Sequence, residues 1–178
     1  MHREVSALVA MALVLGVPAT PAAAKAKFRL TSPAFAKGET IPDGFTCDGA
    51  NATPPLRWKG VPKGTVELAI TMDDPDAPIG TFVHWVAWGI DPDDGELAEA
   101  TLPTDIVQGL NDAGRPIYLG PCPPPGPQHR YRFTLYALDE PVTIGPGSTI
   151  DDLRAAIKGT VQGKAQLVGR YASESGTA

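Results

Sequence analysis

A surplus of positive charge is the first thing this sequence lacks: 15 Lys and Arg stand against 20 Asp and Glu, a formal net charge of -5. The basic residues are also scattered along the chain, which argues against electrostatic capture of nucleic acid or of anionic lipid. Any anion this protein binds must then be held by local groups. Long apolar runs are missing after residue 17, so no later segment is long enough to span a bilayer. Neither a sequence repeat nor a low-complexity linker is present. Histidine is scarce, with three residues, and so is cysteine, with two.

What stands at the start of the chain reads as a leader. His2 and Arg3 supply a basic start, Val5 to Val17 an apolar run, and Ala22-Ala23-Ala24 a small-residue cleavage site, so residues 1–24 are expected to be a signal peptide removed after Ala24. No Cys near that point offers a lipid attachment. The remaining residues, 25–178, suit one domain with a substantial core, secreted or periplasmic. In an oxidising compartment a disulfide between Cys47 and Cys122 is the natural reading, beside two other readings, buried free thiols or a reactive Cys122.

Pro and Gly number 19 each and punctuate the chain into short segments, the texture of an all-β domain with long loops. Thr65 to Met72 alternates, with Val66, Leu68, Ile70 and Met72 on one face, and Pro75 ends it. Phe82 to Ile90 is apolar on both faces and is expected to be a central strand, with Phe82, His84, Val86 and Trp88 opposite Val83, Trp85, Ala87 and Gly89. Arg130 to Leu138 alternates again, placing His129 on the apolar face with Tyr131. A helix is expected over Asp151 to Lys158, with Ser148 and Thr149 as cap candidates and Gly159 as a stop. Ala165 to Tyr171 reads as a closing strand. Asp91 to Leu119 has no clean period and reads as loop, with a short strand around Ile106 to Gln108.

With the leader removed, the two remaining histidines fall in the two most distinctive stretches. One is Asp74-Pro75-Asp76-Ala77-Pro78 running on to His84-Trp85. The other is Gly120-Pro121-Cys122-Pro123-Pro124-Pro125-Gly126-Pro127, followed by Gln128-His129-Arg130-Tyr131. Within Gly120 to Pro127 only Gly120, Cys122 and Gly126 carry a backbone N–H, so the loop is stiff and its few donors are fixed in direction. Such a loop can cradle a small oxyanion; it can equally be a plain surface loop or a polyproline segment for a partner. His84 lies on a strand too apolar to tolerate a bare imidazole, and Asp74 or Asp76 is the nearest carboxylate in sequence. A metal site built from Asp74, Asp76, His84 and His129 would lack helical His spacing. A hydrolase would need a nucleophile, and neither stretch contains a Ser. Binding of a phosphate-like group by imidazole, phenol and backbone N–H remains.

At these residues the sequence resembles the phosphatidylethanolamine-binding protein (PEBP) family, in its bacterial Raf kinase inhibitor-like branch. Phe45-Thr46-Cys47-Asp48-Gly49, Pro54-Pro55-Leu56-Arg57-Trp58 and Gln108-Gly109-Leu110-Asn111-Asp112 are similar to that branch as well. The resemblance implies a mainly β protein: a β-sandwich with a large antiparallel sheet, one or two short helices and a small anion pocket at one end. It implies that Asp74, His84, His129 and Tyr131 line the pocket, that Asp76 supports its wall, and that Gly120, Cys122 and Pro124 form the loop around the anion. Phosphate, phosphoethanolamine and lipid head groups are the implied ligands, held without catalysis and without a cofactor or metal. Two rival roles are inhibition of an extracellular or periplasmic protease and hydrolysis of phosphate esters. Whether the chain forms a homodimer is open at this point. Gly89, where relatives tend to have Asn, and Gln108, where the branch tends to have Glu, depart from the pattern.

Overall fold

A computed structural model describes residues 26–173; the expected signal peptide and its cleavage point lie outside them. Two antiparallel sheets form the frame. The small one has the order β1 (Arg29–Thr31), β2 (Leu56–Lys59), β5 (Glu96–Leu97). The large one has the order β6 (Val107–Gln108), β4 (Phe82–Ile90), β3 (Glu67–Asp74), β7 (His129–Leu138), β8 (Val161–Tyr171). This is the mainly β sandwich implied by the resemblance.

Alternation sorts the residues of β3 and β7 into layers. Leu68, Ile70 and Met72 of β3, with Tyr131, Phe133 and Leu135 of β7, meet Leu30, Leu56, Trp58 and Leu97 of the small sheet in the main core. Behind the large sheet, Ala69, Val86, Trp88 and Leu138 pack on Ile150, Leu153 and Ile157. The last three belong to or follow α1 (Ile150–Ala156), whose start is set by a capping box between Thr149 and Asp152. The helix ends before the expected Lys158, and Gly159 turns the chain at φ +96°.

Three expectations change. β4 is an interior strand buried on both faces, as expected, but the middle strand of the large sheet is β3, and on its other side β4 has only the two residues of β6. Val66 precedes β3 and is exposed instead of buried on its inner face. Strict alternation also fails in β4, because two bulges interrupt it. Met72 pairs with Trp85 and Asp73 with Val83, so His84 is the extra residue; a second irregularity lies between the Leu68–Ile90 and Ile70–Ala87 pairs. Val83, Val86 and Trp88 therefore face the helix, whereas Trp85, Ala87 and Ile90 share the main core. Period-2 reading cannot detect an inserted residue, since each side of the bulge alternates correctly by itself.

The small sheet and the ends of β8 carry short or amphipathic patterns that the sequence reading passed over. β1 and β5 have three and two residues, and β8 begins at Val161, four residues before the expected start.

Candidate functional site

β3 ends where β4 and β7 begin, at one end of the large sheet, and the residues there carry the polar groups. Asp74 closes β3, His84 occupies the first bulge of β4, and His129 opens β7. All three are buried, as is Tyr131 two residues further along β7. Bulges re-aim side chains; here the His84 ring stands edge-on to Tyr131, with centroids 5.2 Å apart.

Asp74 has both oxygens engaged. Oδ1 accepts from the Asp76 backbone N–H at 2.8 Å, an Asx turn enforced by the intervening Pro75, and Oδ2 lies 2.7 Å from Nδ1 of His129. His129 is therefore oriented by a carboxylate. His84 is not: its Nδ1 donates to the Leu119 carbonyl at 2.8 Å, and the Leu119 N–H returns a bond to the His84 carbonyl at 3.1 Å. The expectation that Asp74 or Asp76 meets His84 is thus corrected, because a carbonyl from the loop before Gly120 is nearer than either carboxylate. A carbonyl only accepts, so Nδ1 carries the proton and Nε2 is the free position of the neutral ring. Burial pushes the His84 pKa below 6.5, opposed by the Leu119 bond and by the charge of Asp74.

Tyr131 is the exception in this web. Its hydroxyl is the buried side-chain oxygen or nitrogen without a hydrogen bond of ordinary length among the described residues. Burial first, then the charge of Asp74 and a hydrogen bond toward it longer than ordinary, push its phenol far above the usual value, so the group remains a donor at any physiological pH. An orphaned buried donor costs on the order of 1–3 kcal/mol and calls for an explanation.

Asp76 stands at the wall and faces outward. Its carboxylate accepts from the Arg130 backbone N–H, from Nε and from a terminal guanidinium nitrogen, at 2.6 to 2.9 Å, and Arg130 holds the carboxyl down at about 2. Gly120 is pinned, its N–H donating to Asn51 Oδ1 at 2.7 Å, and an added Cβ would meet the Phe45 carbonyl at 2.4 Å. That N–H is spent inside the protein, which corrects its expected use as a donor to an anion. Cys122 is joined to Cys47 by a disulfide. Pro124 is exposed. Among the described residues no three His, Cys, Asp or Glu side chains converge as metal ligands do.

Several supports were missed by sequence reasoning: Leu119, Asn51, Tyr118, whose hydroxyl donates to the Phe45 carbonyl at 2.9 Å, and Asp112, whose carboxylate accepts from the Val83 N–H at 2.7 Å. Their contacts span from 29 to 73 residues, and only Asn-Asp in the run after Gln108 hinted at any of them.

A family model described as phosphatidylethanolamine-binding protein matches residues 31–172. The chain belongs to the PEBP family. A crystal structure of a candidate PEBP homologue from Chlamydia trachomatis is similar to it with a TM-score of 0.79 and 37% identity, covering 83% of this chain and 98% of that one. Escherichia coli YbcL, described as a member of the mammalian PEBP family, gives 0.77 and 31%, covering 84% and 100%. A UPF0098 protein of Methanothermobacter thermautotrophicus is 46% identical over 147 residues, 80% of this chain and 97% of that relative. A Mycobacterium tuberculosis protein named as a candidate lipoprotein, LppC, is 44% identical over 153 residues, 85% of this chain and 76% of that relative.

The two departures from the PEBP pattern have a physical reading. Gly89 lies at φ +80° in the second bulge of β4, a conformation that Gly adopts freely and Asn tolerates better than most residues. Gln108 accepts from the indole N–H of Trp85 at 2.9 Å through its Oε1, a role the carboxylate of Glu would also fill.

Proposed function

We propose that this chain is an exported, non-enzymatic binding protein that holds a small phosphate-type anion at Tyr131, His84 and His129. The observation that carries this reading is the Tyr131 hydroxyl, a buried donor beside the His84 ring that makes no hydrogen bond of ordinary length, its carboxylate neighbour Asp74 being already bonded to Asp76 N–H and His129. An anionic oxygen supplies the missing acceptor, and charge-assisted bonds of this kind are about twice as strong as neutral ones. Asp74 holds the proton on Nδ1 of His129 and fixes the ring's orientation, so Nε2 is aimed in one direction and donates to an anion when the ring is charged. Phosphate, phosphoethanolamine and a lipid head group share the chemistry that such donors recognise.

The hydrolase reading loses its one thiol candidate, since Cys122 is bonded to Cys47 and has no thiolate to offer. The disulfide and the candidate lipoprotein among the relatives support a place outside the cytoplasm. The test is Tyr131→Phe, measured by calorimetry with inorganic phosphate and phosphoethanolamine. Affinity is expected to fall about tenfold, the value of roughly 1.4 kcal/mol for one charge-assisted bond, with thermal stability unchanged or slightly raised. Parent-like affinity in the variant would show that the hydroxyl meets no ligand.

A further inference from the structure

The basic residues that are scattered in the sequence are not scattered in space. β1 forms the free edge of the small sheet and β8 the free edge of the large one, and a cleft of about 620 Å³ runs between them from Lys27–Ser32 to Lys164–Leu167, closed at one end by Phe35–Lys37. It continues onto the outer face of the small sheet, where Lys27, Arg29 and Thr31 face Lys59. Lys27, Arg29, Lys37 and Lys59 therefore surround one opening, while Lys164, at its border, rests its ammonium over the Tyr136 ring, 5.1 Å from the centroid, on the helix-facing side of the large sheet. None of the five has an ion-pair partner among the described residues, and no Asp or Glu lines either part of the cleft.

Two further details distinguish this opening from ordinary surface. Arg29 and Lys59 are direct cross-strand partners, a like-charge pairing that costs stability and that a single acidic side chain would have relieved. The floor is apolar: Phe28, half-buried, with Leu30, Phe35, Ala165 and Leu167 beneath it. Lysines on strand edges also serve as guards against strand pairing, but that role asks only for charge and needs neither an apolar floor nor a cleft within the 300–1,000 Å³ range of ligand sites. The backbone of β8 adds one more feature. The loop at residues 38–41 pairs with Val168 and Arg170, and that pairing stops short of Gln166 and Lys164, the part of the edge that borders the cleft.

We propose that this cleft is a second binding site, which takes an amphipathic anion: an apolar chain laid on Phe28, Phe35 and Leu167, with a carboxylate or sulfate head among Lys27, Arg29 and Lys37. It shares no residue with the Tyr131 site and does not depend on the reading given for that site. Apolar burial supplies most of the affinity, at about 25 cal/mol per Å² removed from water, and the cations select the sign of the head group.

Dodecanoate, kept below its micelle concentration, is the probe, titrated by calorimetry into the protein from which the leader has been removed. Saturable binding is expected, at least tenfold weaker for butanoate, which lacks the chain, and for dodecyltrimethylammonium, which carries the opposite charge. The triple variant Lys27→Gln, Arg29→Gln, Lys37→Gln changes only exposed side chains and is expected to lose at least tenfold in affinity with its melting temperature retained. Tyr131→Phe is expected to bind dodecanoate as the parent does. Absence of binding, equal binding of the cationic amphiphile, full affinity in the triple variant, or a loss caused by Tyr131→Phe instead would each overturn the proposal. A concentration-dependent dimer that the triple variant abolishes and dodecanoate leaves intact would overturn it as well, assigning the cleft to a second copy of the chain.

Discussion

At the polar end of the large sheet one side chain holds another, whereas in the cleft between β1 and β8 the charged groups reach into solvent. Asp74, His84 and His129 are each buried and each bonded at 2.7 to 2.8 Å, and the Tyr131 hydroxyl is the fully buried polar side-chain atom among the described residues that lacks a bond of ordinary length. Lys27, Arg29, Lys37 and Lys59 are exposed and have no ion pair among the described residues. The first arrangement pays its ordering entropy on folding and so favours one small ligand geometry. The second orders its side chains only on binding and so discriminates by charge more than by shape. A network of the first kind also ties ligand recognition to stability, and a patch of the second kind does not.

The sharpest way to break this contrast is His129→Ala. Removal of the imidazole leaves Asp74 buried with one backbone donor, and the expected loss is about 3 kcal/mol in urea unfolding at pH 7, the range found when one partner of a buried pair is removed. Adding Asp74→Asn to that variant is expected to restore part of the loss, since no charge is then stranded. Arg29→Gln, by comparison, is expected to stay within 0.5 kcal/mol or so of the parent, as exposed substitutions do. A His129→Ala protein as stable as Arg29→Gln would show that the two regions do not differ in this respect.

A second large effect is expected from Cys47→Ser with Cys122→Ser. The disulfide closes a separation of 75 residues between the loop after Asp43–Phe45 and the Pro-rich loop, and the chain-entropy account assigns such a bridge about 4 kcal/mol, with 2–4 commonly observed. The two loops are joined besides by the bonds from Cys47 N–H to the Pro121 carbonyl, Tyr118 to Phe45 and Gly120 to Asn51. Those bonds keep the site assembled in the variant, so phosphate affinity at low temperature is expected to change less than twofold. A site that loses its ligand together with the disulfide would show the bridge to be the element that shapes it.

How much of this was legible in advance differs between elements for physical reasons. β3, β7 and α1 were readable because each carries one periodic face and a local stop: Pro75 after β3, Thr149 and Gly159 around α1. His129 and Tyr131 followed from alternation in β7, and the meeting of Asp74 with an imidazole was foreseen, though not which one. β4 was placed correctly, yet its faces were misassigned because the residue at the first bulge is His84 itself. β1, β2 and β5 are held by pairing across 26 to 41 residues, as Thr31 with Arg57 and Leu56 with Leu97 show, and short strands of that kind leave no local signature. The basic cleft was invisible for the same reason: Lys37, Lys59 and Lys164 come from three distant segments.

Acidification offers a finer probe of the polar end. Burial depresses the His84 pKa in the folded chain, while the unfolded chain binds its proton at about 6.5. The unfolded state then holds more protons in the window just below that value, so stability is expected to be full above about pH 6.5 and to fall as the pH drops toward the folded value. His84→Asn is expected to lose that portion of the slope, read from unfolding midpoints between pH 7 and pH 5. A bound anion favours the imidazolium, so phosphate analogues of fixed charge, such as sulfate, are expected to bind more tightly over the same descent and to take up a proton on binding. Affinity independent of pH would confine His84 to a structural role beside Leu119.

The smallest expected effect tests the cleft by the opposite logic, that a functional arrangement can hold stability below what the fold allows. Lys59→Glu converts the like-charge pair with Arg29 into an opposite-charge one at the same cross-strand position. The change should stabilise the protein by a few tenths of a kcal/mol, up to about 1, since cross-strand charge pairs span that range, and the gain should shrink as salt screens it. The same substitution places an acid beside the opening and removes one of its four cations, so dodecanoate binding should weaken while melting temperature rises. Opposite movement of the two readouts is what distinguishes a site from a neutral surface. If Lys59→Glu lowers stability, the Arg29–Lys59 pairing carries no cost, and the argument that the cations are gathered for a ligand loses its energetic support.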